Sequence, residues 1–214
     1  MTTLQAHKLT CPLCGNAFDS KLVTSTDSFG RHHSDLYKES EGEQPVCYFV
    51  HTCPKCGYSG YEGDFGPQRF DQAFRDQVEK LITPEVKDRQ IETNGNFYLA
   101  ALCADWRGAP PYVVGRIFHM GAWCYRMKGD WDREVYYLQE ALTHFEMALR
   151  RDDTPKEARA VYTYLVGDIY RRLHDPERAK EYYRKVEKEL NEHGGEARIG
   201  EFARRQLESP SDYF

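Results

Sequence analysis

Long apolar runs are missing from this sequence. No stretch approaches the roughly 18 uninterrupted apolar residues of a spanning helix. With 29% charged residues and a mean hydropathy of −0.75, no membrane association is expected. A surplus of positive charge is missing too: the net charge is −5, which gives no global attraction to a polyanion. The opening stretch Met1–Leu9 carries threonines, a glutamine, a histidine and a lysine but no apolar segment, so no secretory signal is expected. What remains is enough for a packed core, because 40% of the 214 residues are hydrophobic and 14% aromatic.

Cysteine is neither absent nor abundant. There are seven, an odd number, and four of them fall in two C-x-x-C pairs. In a chain without a signal this favours a metal over disulfides and places the protein in a reducing cytoplasm. Cys11-Pro12-Leu13-Cys14-Gly15 and Cys53-Pro54-Lys55-Cys56-Gly57 share the pattern C-P-x-C-G. Two residues between the cysteines let both thiolates converge on one ion while backbone N–H groups turn toward the sulfurs. The following glycine supplies the positive φ at which so tight a turn closes. Two such knuckles bring four thiolates, a closed tetrahedral set with no position left for substrate, so Cys11, Cys14, Cys53 and Cys56 are read as ligands of a structural zinc. The 38 residues between Cys14 and Cys53 exceed the usual spacing. Doubling a loop costs only about 0.6 kcal/mol, while a structural zinc contributes on the order of 10 kcal/mol or more. Iron fits the same four thiolates, so an Fe(Cys)4 electron-transfer or redox centre stays open. A thioredoxin-like role would need a neighbouring βαβ unit, and none is visible.

The remaining candidates near this site read two ways. Cys47 and His51 share a face with Cys53 if 46–53 is a strand, and would then stand beside the ligands; the plainer reading is a small buried cysteine and a core or solvated histidine. His32 and His33 read as solvated, and Cys103 and Cys124 as small core residues.

Composition changes near residue 66. Before it the chain is rich in Cys, Gly, Ser and Thr, with short strand candidates at Leu22–Phe29 and Val46–Val50 around an acidic loop, Lys38–Pro45. After it, apolar residues recur at helical spacing, predicting helices over 68–82, 84–93, 97–107, 111–128, 132–150, 155–173, 176–192 and 196–207. Thr83-Pro84 and Asp175-Pro176 read as cap-plus-proline starts, and Thr154 with Glu157 as a capping box. The fold class is thus α+β, mostly α: a zinc-ribbon-like module over 1–66, a tetratricopeptide-like antiparallel helical array over 67–209, and a tail, 210–214.

The repeat reading rests on spacing. Gly167 and Tyr170 are followed by Ala179, Tyr183 and Val186; Met120-Gly121 are followed by Ala141, Phe145 and Ala148, with the interval from glycine to alanine eight residues longer. Stacked helix pairs leave a concave groove for a peptide or partner helix. In this register Phe118, Tyr125, Tyr164, Asp168 and Arg171 face that groove, with packing between helices as the equal alternative for each. Arg171-Arg172 and Arg204-Arg205 read as a solvated face.

Taken together, Cys11–Gly15, Cys53–Tyr58, Gly121–Arg126 with Gly129-Asp130, and Gly167–Leu173 resemble the bacterial domain of unknown function 2225 family over nearly the whole chain. The resemblance implies a cytoplasmic bacterial protein with a zinc-ribbon-like module and tetratricopeptide-like helices, carries over only the four knuckle cysteines as ligands, and implies no activity. No Ser-His-Asp set, phosphate loop or paired catalytic carboxylates stand out, so the expected function is non-enzymatic: an adaptor binding a protein or peptide. The alternative is a nucleic-acid-binding ribbon with Tyr58 and Tyr61 stacking on bases. Against it, residues 1–66 carry five Lys+Arg to eight Asp+Glu, net −3, and have no basic stripe.

Overall fold

In the computed structural model, which describes residues 1–87 and 89–214, each C-P-x-C-G sequence is the turn of an antiparallel hairpin. Strand β1 (Thr3–Thr10) runs into the first knuckle and returns as β2 (Ala17–Ser25), with Leu9 opposite Phe18. Strands β3 (Val50–Thr52) and β4 (Ser59–Tyr61) flank the second knuckle, Thr52 opposite Ser59. The strand expected at Leu22–Phe29 is the later part of β2, which ends at Ser25. Strand β1 was not expected: only Leu9 of its eight residues is buried, so no two-residue apolar period marks it. The expected strand Val46–Val50 is instead a 3-10 turn, Pro45–Tyr48, leading into β3. Pro45 fixes the φ of its first residue, and positions 47, 49, 51 and 53 therefore share no face.

The helical half keeps the expected order. Helix α1 (Gln72–Gln77), a π turn (Val78–Ile82) and α2 (Thr83–Lys87) form one continuous rod, where two helices meeting at Thr83-Pro84 were expected. Pro84 has no N–H for the carbonyl a turn behind it. The chain widens ahead of the proline, Thr83 N–H bonding to Val78 O, and does not stop. Of the expected helix 84–93, residue 88 lies outside the described residues and 89–93 are not helical. Then follow α3 (Phe97–Trp106), α4 (Pro111–Met127), α5 (Trp131–Arg151), α6 (Arg159–Arg172), α7 (Pro176–His193) and α8 (Ala197–Glu208). Asp175 caps α7 as expected, accepting from Arg178 N–H at 3.1 Å. The capping box of Thr154 and Glu157 does not form: Pro155 takes the position before a 3-10 turn, Lys156–Ala158, and α6 begins only at Arg159.

Close approach of paired helices depends on glycine. A Cβ on Gly121 would lie 2.4 Å from the Tyr137 ring, and one on Gly167 3.0 Å from the Tyr183 ring. Both tyrosines follow their glycine by 16 positions, so the partner of Gly121 is Tyr137, not the expected Phe145. Phe145 packs one turn and a half away, against Gly115. The apparent eight-residue insertion is thus a difference in helix length, not in the glycine–tyrosine offset.

Two cores result. Phe74, Val78, Ile82 and Val86 of the rod pack with Leu9, Phe18, Tyr58 and Phe65 of the hairpins, and α3 contributes Cys103. The rod, expected to open the helical domain at 67, therefore shares the core of the cysteine hairpins. The second core runs through α3–α8, with Phe97, Leu138, Phe145, Val166 and Ile169 fully buried. Cys124 on α4 is buried as expected but is paired: it forms a disulfide with Cys47 of the 3-10 turn, Cα–Cα 5.2 Å, where the spacing argument disfavoured disulfides. The odd cysteine count divides into a cluster of four, one bridge and the buried Cys103. Among the described residues no helix is long and apolar enough to cross a membrane.

Candidate metal centre and the covered groove

The knuckles are built alike. Cys11 N–H bonds to Asn16 O at 2.8 Å and Gly15 N–H to Cys11 O at 2.9 Å; Cys53 N–H bonds to Tyr58 O at 2.9 Å and Gly57 N–H to Cys53 O at 2.8 Å. Gly15 at φ +72 and Gly57 at φ +78 adopt the left-handed conformation the motif calls for. The rod clamps both turns from one side. Arg75 Nη1 donates to Leu13 O at 3.2 Å, and the Thr83 hydroxyl, expected to cap a helix, donates to Cys56 O at 3.0 Å.

This brings Cys11, Cys14, Cys53 and Cys56 together, all four sulfurs within 4.8 Å of one another. Cys11 and Cys56 Sγ are 3.6 Å apart, and Cys14 and Cys53 Sγ 3.7 Å. A tetrahedral ion with bonds of about 2.3 Å to sulfur requires sulfurs about 3.8 Å apart, so the set fits a single metal ion. Three of the sulfurs are buried and Cys14 is half-buried. Asn16 Nδ2 points at Cys53 Sγ from 3.7 Å, a donor to a thiolate that the spacing alone did not reveal. Within the cluster, S–H donation from Cys11 and Cys56 draws Cys53 down, and the two donors are pushed up. A cation among the four sulfurs would favour their thiolate forms together.

The other candidates stand apart from the sulfurs. His51 is buried, its Nδ1 2.9 Å from the Ser20 hydroxyl and 3.2 Å from Asn94 Nδ2, and burial lowers its pKa to about 4. His32 is exposed, whereas His33 is buried with Nε2 2.7 Å from Glu39 Oε1. Burial pushes the Cys103 thiol up to about 12, as suits a core residue. Tyr58 is fully buried, which leaves its ring no free face for a base, and Tyr61 is half-buried.

Of the expected groove residues, Tyr164, Asp168 and Arg171 lie beneath other parts of the chain, and Phe118 and Tyr125 pack between helices. Tyr164 and Asp168 are fully buried: the Tyr164 hydroxyl donates to Ser34 O at 2.7 Å, and Asp168 Oδ2 accepts from the Ser34 hydroxyl at 3.1 Å. Arg171 donates to Asp168 at 3.1 Å and to Asp212 at 2.9 Å. Phe118 is buried against Tyr137 and His144, and Tyr125 packs on Tyr137. Arg171 and Arg172, read as a solvated face, are only 15% and 8% exposed, because two fully buried aspartates, Asp35 and Asp168, lie against them. Burial raises the Asp35 carboxyl, but Arg172, Arg126 and His119 together hold it well below the usual carboxylate range. Arg126 bridges Asp35 and Glu134, each at 2.7 Å. Nothing local marks Asp35 as buried, since Arg126 lies 91 positions away and Arg172 further still.

No curated protein and no solved structure matches this chain. A family model does, that of an uncharacterized protein conserved in bacteria (DUF2225), over residues 4–209, and the chain belongs to that family.

Proposed function

We propose that this chain is a non-enzymatic adaptor in which a structural zinc fixes the cysteine hairpins and the tetratricopeptide-like array carries a surface for another protein. The closure of the donor set is the observation that supports it. Four sulfurs at 3.6–3.7 Å across their paired edges complete the shell of a tetrahedral ion. Such an ion has no site for water or substrate, so its contribution is to hold the two hairpins together. Zinc is preferred to iron as an ion that keeps one oxidation state while doing this. A cytoplasmic location belongs to the same reading: the four free thiols support it, the Cys47–Cys124 disulfide weighs against it, and the ligand set is what this reading follows. The net −3 of residues 1–66 and the buried Tyr58 weigh against nucleic acid as the partner.

Elemental analysis of the purified chain, combined with in-cell cross-linking and mass spectrometry, tests this. Stoichiometric zinc and one recurrent protein cross-linked to the array are expected. A red, iron-containing protein, or the lack of any recurrent cross-linked protein, would overturn the reading.

A further inference from the structure

Residues 31–38 and 210–214 cover Tyr164, Asp168 and Arg171, part of the face that the repeat register marks as a groove. Residues 31–38 form a turn of their own, with His33 N–H bonded to Tyr37 O at 2.8 Å and Leu36 N–H to His33 O at 3.0 Å. Outside that turn the last residues lie as an added strand. Ser34 N–H donates to Asp212 O at 2.9 Å and Phe214 N–H to His32 O at 3.0 Å, with His33 and Tyr213 paired antiparallel.

The side chains of this strand alternate with the two-residue period of extended chain. Asp212 accepts from Arg171 Nη1 at 2.9 Å and lies 3.4 Å from Arg172 Nη1. Phe214, two positions on, stacks on Phe202 with ring centroids 4.0 Å apart and Arg205 5.3 Å from its ring. Tyr213 turns the other way, 4.9 Å from the His33 ring, with the Arg31 guanidinium 4.8 Å from its own. An acid anchored on buried arginines, backbone pairing along a short edge, and an aromatic pocket two residues later make up a β-augmentation site already filled.

The strand can leave without stranding a buried charge. Asp212 is 55% exposed, and the charges below it are paired in its absence: Asp35 holds Arg126 and Arg172, and Asp168 holds Arg171 and Arg172. The turn at 31–38 keeps its internal bonds as well, so the slot persists when the strand is gone.

We propose that the slot between His32–Ser34, Arg171–Arg172 and Phe202 is a peptide-binding site occupied in cis by residues 212–214, with Ser211 held at its edge by Gln206. A partner's extended segment with the same chemistry, an acid followed two positions later by an aromatic, displaces that strand. This deepens the adaptor reading and rests on it: the array's interaction surface is this slot, and the chain's own segment regulates access to it.

The test uses a labelled peptide of residues 209–214 and the full-length chain, wild type and with Asp212→Lys and Phe214→Ala, read by fluorescence anisotropy. The opened chain should bind the peptide about tenfold or more tightly than wild type, where the tethered strand competes at high effective concentration. The peptide with its aspartate changed to alanine should lose that binding, as should the opened chain carrying Arg171→Ala. Amide exchange at Ser34 should rise in the opened chain and fall again on adding peptide. Equal binding to both chains, or binding to neither, would overturn the slot. The milder Asp212→Ala chain, checked for native helicity, repeats the test if the double variant misfolds. Loss of the slot with a partner still cross-linked to the array would leave the adaptor standing; peptide binding with no partner would overturn the adaptor and keep the slot.

Discussion

Among the described residues, twelve buried apolar side chains make the core of the cysteine hairpins and their rod, and four of the twelve are cysteines. The core of the helical array packs twenty-eight, three of them, Tyr37, Val46 and Val50, from the chain before it, and one, Cys124, is a cysteine. A core of the first size is too small to hold strands as short as β3 and β4 unaided; small modules need a staple. The array buries continuous apolar faces along its helices, carries the Cys47–Cys124 disulfide at one edge, and tolerates a cluster of buried charge besides. One part is therefore organised by a point, the sulfur cluster, and the other by an extended surface. They should fail under different insults.

The largest effect is expected at the point. Cys53→Ser removes a buried sulfur that Cys11, Cys14 and Cys56 all approach, and with it a metal contribution on the order of 10 kcal/mol. Metal content should fall to zero and the hairpins should unfold, while helices α4–α8 keep their far-ultraviolet signal. Joint collapse of both parts, or retention of metal, would break the comparison.

How much of this was legible in the sequence follows the same divide. The knuckles are local: each ligand pair, its turn and its glycine lie within five residues, so Cys11–Gly15 and Cys53–Gly57 could be read directly. The helices repeat their pattern over many residues, and their bounds were close for the same reason. What stayed hidden depends on pairs far apart in the chain. Asp35 with Arg126 and Arg172, Cys47 with Cys124, and the strand 212–214 on His32–Ser34 carry no local signature. Thr83-Pro84 misled because the same two residues that start a helix in isolation can continue one when a neighbouring knuckle takes up the hydroxyl.

The next effect belongs to the surface-organised part. Arg126→Ala leaves Asp35 and Glu134, 0% and 2% exposed, short of a positive partner, and should cost about 3–5 kcal/mol in denaturant unfolding. Its pH dependence has a definite sign. In the wild type the folded-state pKa of Asp35 is depressed, so this carboxylate's contribution is complete above its unfolded value of about 3.9 and is lost as pH falls through the folded value. In the variant burial acts on Asp35 with less opposition and its folded pKa rises, so acid costs that chain less. The stability gap between the two should narrow below about pH 4. A gap that is constant with pH would mean that Arg126 acts by packing and not by charge.

The smallest effect sharpens the comparison within the metal site itself. Gly15 and Gly57 occupy equivalent places in the two knuckles, at φ +72 and +78, and an alanine at either pays about 1–2 kcal/mol for a left-handed backbone. Their surroundings differ. A Cβ on Gly15 meets nothing within 4 Å, whereas one on Gly57 would lie 2.3 Å from Ile82 Cγ2 and 3.2 Å from Val86 Cγ1. The rod holds both turns, but only at the second knuckle does it press against the glycine itself, at the π turn that Pro84 imposes. Overpacking there adds about 1–3 kcal/mol, so Gly57→Ala should lower the unfolding midpoint of the hairpins clearly more than Gly15→Ala. Trimming the obstruction separates the two terms: Ile82→Ala should recover part of the loss in the Gly57→Ala chain and none in the Gly15→Ala chain. Equal losses at the two glycines would show that the rod yields at Ile82, and that the sulfur cluster alone, without the rod behind it, sets the conformation of both turns.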